Sequence, residues 1–198
     1  MKKLLLARHG QTKWNVEGRY QGRRGEGLNA TGVEQARALA QSLRSLPAAK
    51  IYSSDQERAR QTARIISDHC GFVLVFEPRL REISLGDWEG LLGADIQASY
   101  PQLIQQRRES PRFFRAPGDG ESLEDVALRV QPALEGILND EAENIIIVSH
   151  HVCLGVIRAI LEGQPLDDVY VSQIENGVLY ECRWTGTSSG CLEGRKKV

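Results

Sequence analysis

The 198 residues are 41% hydrophobic and 26% charged, a balance that excludes a disordered or fibrous chain and allows one sizeable domain with a layered core. With 25 Lys and Arg against 26 Asp and Glu, the formal net charge is -1, so no global field exists to collect nucleic acid and any anion site must be local. No apolar run approaches the roughly 20 residues that cross a bilayer, so a membrane partner is not expected either.

In chain order, residues 3–7 read as a short buried strand, which Arg8 and His9 cut well before the length of a signal-peptide core. Thr31 with Glu34 predicts a capping box, opening a helix that faces inward with Val33, Ala36, Ala40 and Leu43. Residues 51–53 predict a second strand, followed by a helix through Arg60, Ile65 and Ile66 that Gly71 can end in the left-handed region. Residues 72–76 read as a third strand. In 92–120 Pro101, Pro111 and Pro117 interrupt helical pieces around Phe113, Phe114 and Arg115, and this stretch is expected to form a cap-like excursion over the site. Ser122 with Asp125 caps a helix carrying Val126, Val130 and Leu134, in which Pro132 predicts a kink or break. Residues 144–149 look like a fully buried strand, residues 151–161 are apolar at helical spacing and end before Gly163, and residues 178–184 supply a last strand.

This alternation predicts an α/β fold, a three-layer α/β/α arrangement with a mainly parallel central sheet and one antiparallel edge strand. A single domain over 1–198 is expected, with a poorly ordered tail over 185–198. Cys70, Cys153, Cys182 and Cys191 are scattered and form no C-x-x-C pair, which points to reduced thiols and a cytoplasmic protein.

Arg8-His9-Gly10 follows the first strand directly and Ser149-His150 follows the late buried one, so in a parallel sheet both project from the ligand-binding edge. Arg8 suits a phosphoryl group because its planar fork of donors spreads positive charge around the equatorial oxygens. A neutral imidazole at His9 can attack phosphorus without first losing a proton. Arg58 lies near a helix start, where free N–H groups and the macrodipole attract anions, and Asn15 offers a neutral donor to the same oxygens. Taken singly, each has a plainer reading: strand-end residues in ordinary hydrogen bonds, a solvated helix arginine, a turn asparagine. No group of Asp, Glu and His has metal-ligand spacing, and neither metal nor other cofactor is expected.

Further blocks accompany these residues: Gln11-Thr12, Gln21-Gly22, Leu28 with Gly32, residues 53–63, Leu80-Arg81-Glu82, Gly86-Asp87-Trp88-Glu89-Gly90, Gly120-Glu121-Ser122 and Val148-Ser149-His150. Together they resemble the histidine phosphatase superfamily in its phosphoglycerate-mutase-like branch, of the alpha-ribazole phosphatase or broad-specificity phosphatase type. The resemblance implies that His9 is the phosphorylated nucleophile, that Arg8, Arg58 and His150 bind phosphate with Asn15 assisting, and that Glu82 protonates the departing oxygen and then activates water. Arginines and histidines then supply the charge that a metal supplies elsewhere, which implies activity without one. Asp87, Trp88 and Glu89 are expected to support the loop carrying Glu82, Trp88 as a core anchor.

Two stretches depart from the family pattern. His151 stands where relatives often have Gly, Ala or Thr, and either touches substrate or points to solvent. Gly25 and Gly27 replace the Asp and Pro that relatives commonly carry, which predicts a looser loop; Gln21, Gly22 and Arg24 beside them are candidate substrate contacts. The compact stretch after Glu82 favours a phosphatase over a phosphoglycerate mutase, whose members carry a longer insertion there. A non-catalytic phosphate-sensing protein is the alternative of another class. The expected partner is a small phosphorylated metabolite such as alpha-ribazole phosphate, phosphoserine or a phosphoglycerate-like compound, handled by a monomer or homodimer.

Overall fold

Two short apolar strands set the architecture. In β1 (Lys2–Arg8), Leu4 and Leu6 face one side while Leu5 and Ala7 face the other; in β4 (Asn144–Ser149), Ile145 and Ile147 alternate with Ile146 and Val148 in the same way. A strand buried on both faces needs helices on both, each such side chain contributing about 1.5–3 kcal/mol on burial. One face is covered by α6 (Leu123–Leu138) and α7 (His151–Glu162), the other by α2 (Ala30–Ser42) and α3 (Glu57–Cys70). The computed structural model describes residues 2–171, 174–184 and 191–192, and shows this three-layer α/β/α arrangement.

The sheet runs in the order β3-β2-β4-β1-β5-β6. β2 (Ala49–Ser53) and β3 (Val73–Phe76) join β4 and β1 in the parallel part, while β5 (Leu179–Trp184) pairs antiparallel with β1. The two-residue β6 (Cys191–Leu192) adds to the outer side of β5. The rest of the expected tail, 185–190 and 193–198, lies outside the described residues. Register matters most between β1 and β4, where Ala7 stands opposite Val148 and Arg8 opposite Ser149. Both strands therefore end at one level, and the histidines that follow them begin side by side.

Two expectations are corrected. α2 begins earlier than Thr31: Asn29 is its cap, its side chain accepting from the Gly32 N–H at 2.8 Å, because Asn in extended backbone satisfies a free helix donor without needing the reciprocal Glu. Pro132 does not break α6, which runs 16 residues through it. The carbonyl left without a donor is that of Leu128, whose residue is 68% exposed, so water can serve it.

The excursion over 92–120 holds two short helices, α4 (Gly93–Ser99) and α5 (Pro101–Glu109), the latter opened by a proline at its tolerated first position. They enclose a small core of their own, in which Trp88, fully buried as expected, packs on Ile96, Ile104, Phe114 and Ala116. Phe114 is therefore core and not a substrate-facing residue. Phe114 lies in tilted contact with Trp88 at 5.5 Å between ring centroids, while Arg115, ion-paired with Asp125, is exposed, as is Phe113 at 64%. Among the described residues no helix is long and apolar enough to cross a membrane, and Cys70 and Cys153 are free thiols.

Candidate active site

The site grows from the level strand ends. The His9 N–H donates to the Ser149 carbonyl at 3.0 Å, which continues the ladder one step beyond β1 and sets the His9 and His150 rings 5.1 Å apart. The chain then turns through Gly10, where no other residue fits: a Cβ there would stand 2.3 Å from the Gly32 carbonyl oxygen at the start of α2. The Gly10 N–H donates to Thr62 Oγ1 on α3, so the turn is anchored from two helices. The five-residue α1 (Lys13–Glu17) follows, opened by a Thr12–Asn15 capping box.

Tautomers follow from these contacts. The His9 Nδ1 lies 2.7 Å from the Gly10 carbonyl oxygen, which can only accept, so Nδ1 carries the proton. Its Nε2 lone pair faces Arg58, whose Nε donates to it at 3.2 Å. The same Nε lies 3.2 Å from His150 Nδ1, so that nitrogen also bears a lone pair and His150 Nε2–H donates to Ser54 Oγ at 2.8 Å. Burial first, then the charges of Arg58 and Arg8, hold the imidazole of His9 well below its ordinary pKa, and burial with Arg58 does the same to His150. Both rings are neutral at physiological pH.

Arg58 sits on the first turn of α3 and is 2% exposed. Its terminal nitrogens donate to the carbonyls of Gly22 at 2.8 Å and Arg24 at 2.9 Å, so its acceptors are carbonyls and imidazoles. Burial draws its pKa down to about 10, leaving it charged, and a buried cation with neutral acceptors favours an incoming anion. Arg8 donates to the Ile174 carbonyl at 2.7 Å, while its buried Nε has no partner. Both arginines thus have donor capacity or charge to offer a phosphoryl group.

Glu82 approaches from the opposite side on the loop after a single helical turn at Pro78–Leu80. It is 8% exposed, and its carboxylate accepts from the backbone N–H groups of Ile83, Val152 and Cys153 at 3.0–3.2 Å. The last two belong to the first turn of α7, so the helix start that follows His150 also positions Glu82. Behind it Arg129 donates to the Glu82 carbonyl at 3.1 Å and to both oxygens of Glu121, fixing the loop from α6.

The remaining candidates fall into three groups. Asn15 closes the capping box at the start of α1, just after His9 and Gly10, where its Oδ1 is engaged by Thr12, leaving the amide nitrogen for any anion. Gln21, Gly22 and Arg24 lie on the loop that Arg58 holds by its carbonyls; Arg24 contributes its backbone to Arg58 while its side chain is 75% exposed and 3.7 Å from Glu89. This loop is not loose. Glu89, expected to support Glu82, accepts from the N–H groups of Arg23, Arg24 and Leu85 and so ties the two loops together, and Gly22 at φ +53° leaves room for its carboxylate. His151 does not point into solvent: it lines a cavity of about 410 Å³ with Arg8, Gln11, Gln35, Ile174, Glu175 and Asn176, and its buried Nδ1 has no partner. Burial, then Arg8, lowers its pKa too.

Ser54, Gln56, whose amide donates to the Gly22 carbonyl and accepts from the Glu82 N–H, Thr62, Glu121 and Arg129 were not singled out by sequence as parts of the site. Ser54, Gln56 and Thr62 do lie inside the recognised 53–63 block, and Glu121 inside Gly120-Glu121-Ser122; Arg129 left no local signal.

The family model described as Histidine phosphatase superfamily (branch 1) matches residues 4–193. A protein named Probable phosphoglycerate mutase GpmB, from Enterobacter sp. (strain 638), is 37% identical over 169 residues, covering 83% of this chain and 77% of that one. Putative phosphoserine phosphatase 2 from Hydrogenobacter thermophilus is 34% identical over 189 residues, covering 96% and 93%. Among solved structures, a mycobacterial glucosyl-3-phosphoglycerate phosphatase complexed with VO3 superposes with a TM-score of 0.84 at 32% identity, over 92% of this chain and 93% of that one.

Proposed function

The chain belongs to branch 1 of the histidine phosphatase superfamily, and from that membership we propose that it is a metal-independent phosphomonoesterase, cleaving a small phosphorylated metabolite through a phosphohistidine at His9. The tautomer of His9 carries this reading: Nδ1–H is fixed on the Gly10 carbonyl, so the Nε2 lone pair is presented to the space that Arg58 and His150 surround.

The steps balance as follows. The Nε2 lone pair bonds to phosphorus as the bond from phosphorus to the ester oxygen breaks, and Glu82 in its acid form delivers a proton to that oxygen. Arg58 and Arg8 stabilise charge on the equatorial oxygens, with Asn15 adding a neutral donor and His150 joining them through the Nδ1 that faces Arg58, which donates in the tautomer whose Nε2 accepts from the Ser54 hydroxyl. The Nδ1–H of the phosphorylated imidazole, now cationic, keeps its bond to Gly10. Glu82 as carboxylate then takes a proton from water, whose oxygen attacks phosphorus and returns the electron pair to Nε2. His151 and the Gln21 to Arg24 loop contact the alcohol portion of the substrate.

Purified protein in excess chelator should release phosphate from monoesters such as phosphoserine, 3-phosphoglycerate and alpha-ribazole phosphate, and His9→Ala should not. Persistent turnover by His9→Ala, or strict dependence on an added divalent cation, contradicts the mechanism. The relative named a phosphoglycerate mutase gives a second reading its standing; isomerisation of phosphoglycerate dependent on 2,3-bisphosphoglycerate, without hydrolysis, would select it.

A further inference from the structure

The Glu82 carboxylate is held on the first turn of α7, but a general acid must also point at one oxygen of the substrate, and its backbone sets that direction. Between the helical turn at Pro78–Leu80 and the next at Gly86–Trp88 the chain has neither helix nor strand, so the backbone of this loop needs partners from elsewhere. Arg129 on α6 donates to the carbonyl of Arg79 at 2.5 Å and to that of Glu82 at 3.1 Å. Glu121, just before α6, accepts from the Ser84 N–H at 2.9 Å, and its own N–H donates to the Ser84 carbonyl at 2.9 Å.

Two bonds join the pair itself, Nε to Oε1 at 3.0 Å and Nη2 to Oε2 at 3.1 Å, the fork in which arginine binds a carboxylate most firmly. Gln56 accepts from the Glu82 N–H at 2.6 Å, so both backbone groups of Glu82 are engaged, one on each side of its side chain. Stability alone does not account for the pair. At 17% and 15% side-chain exposure it is largely withdrawn from water, and a buried ion pair gains little over apolar packing because desolvation offsets the attraction. What it contributes is one loop conformation, and its loop contacts at Arg79, Glu82 and Ser84 bracket the carboxylate that must deliver the proton.

We infer that Arg129, with Glu121 as its partner, is a positioning residue for the general acid: it sets the direction of Glu82 and thereby the rate of proton delivery to the leaving oxygen. This inference rests on the phosphatase reading of the same site. It confines the effect to reactions that need the proton. An alkoxide leaving group needs it, whereas p-nitrophenolate departs readily without one.

The test compares kcat/KM, which covers the steps up to the phosphoenzyme, for phosphoserine and p-nitrophenyl phosphate in the full chain. Arg129→Lys keeps the charge but not the fork, and should lower kcat/KM for phosphoserine about 10–100-fold, as a displacement of about 1 Å does. The loss for p-nitrophenyl phosphate should be at least about fivefold smaller. Glu121→Gln keeps an acceptor for Ser84 while weakening the bond to Arg129, and should show the same selectivity with a smaller loss; thermal unfolding checks both variants, and Glu121→Gln carries the test if Arg129→Lys is unfolded at the assay temperature. In the Glu82→Gln background Arg129→Lys should add no more than about twofold, since nothing is left to position. Equal losses on the two substrates, or the full additional loss on top of Glu82→Gln, are what a merely structural role predicts and overturn the inference. Absence of any hydrolysis by the wild type removes the phosphatase reading instead.

Discussion

The edge where β1 and β4 end and the excursion over 92–120 are built on different terms. At the edge His9, Arg58 and His150 are at most 2% exposed, each bonded to backbone or to one another; the two histidines follow strands whose side chains enter both large cores, and Arg58 stands on the first turn of α3. The excursion stands on a small core of five buried residues around Trp88 and offers Phe113 and Tyr100 to solvent. The candidate catalytic residues thus rest on both large cores, while the excursion is built on a smaller one.

The largest effect should come from the edge. His9→Ala should lower kcat by about 10⁴-fold or more while leaving thermal unfolding nearly unchanged, since a catalytic unit fails as a whole when its nucleophile goes. Glu82→Gln should cost about 10²–10⁴-fold in kcat, the usual range for a general acid and base. Steady-state kinetics on both variants check this, and a loss seen in KM alone would contradict the roles assigned.

Trp88→Ala tests the other side of the comparison. Truncating a fully buried tryptophan should cost about 3–5 kcal/mol in denaturant unfolding. Hydrogen exchange should show the loss concentrated in α4 and α5, with β1 and β4 protected; uniform loss would mean that the two regions are one cooperative unit.

A smaller effect follows from the buried imidazoles. Folded His9 and His150 are held well below their ordinary value, whereas the unfolded chain titrates them near 6.5. Below about pH 6.5 the unfolded chain binds protons that the folded one refuses, so their contribution to stability is complete above that pH and falls beneath it, by up to about 1.4 kcal/mol per pH unit for each histidine. Denaturant titrations at pH 7.5 and 5.5 should show this fall, and a flat profile would contradict the neutral tautomers. The smallest effect is expected at the exposed tip: Phe113→Ala should change stability by no more than about 0.5 kcal/mol.

What the sequence made legible was governed by locality. The strands, the Gly71 helix end and the Ser122–Asp125 cap depend on neighbouring residues, and β1, β4, Gly71 at φ +71° and that capping box stand where periodicity and turn chemistry put them. His9, Arg58 and His150 were legible because each directly follows a strand or opens a helix. Asn29 was missed because a capping box two residues later looked stronger than a lone asparagine. Arg129 and Glu121 join loops across many residues of chain, and no local pattern encodes such contacts, whereas Glu89 was legible through the resemblance as a support of the Glu82 loop. The Phe114 error has the same origin, for only the position of Trp88 shows that this ring is core.

The most direct test of the account is to trap the intermediate. Brief mixing of wild-type protein with a radiolabelled phosphomonoester, followed by quenching and peptide mapping, should give a base-stable, acid-labile phosphate on the peptide that contains His9, absent from His9→Ala. Label on another residue, or none while hydrolysis proceeds, would contradict phosphohistidine catalysis at His9.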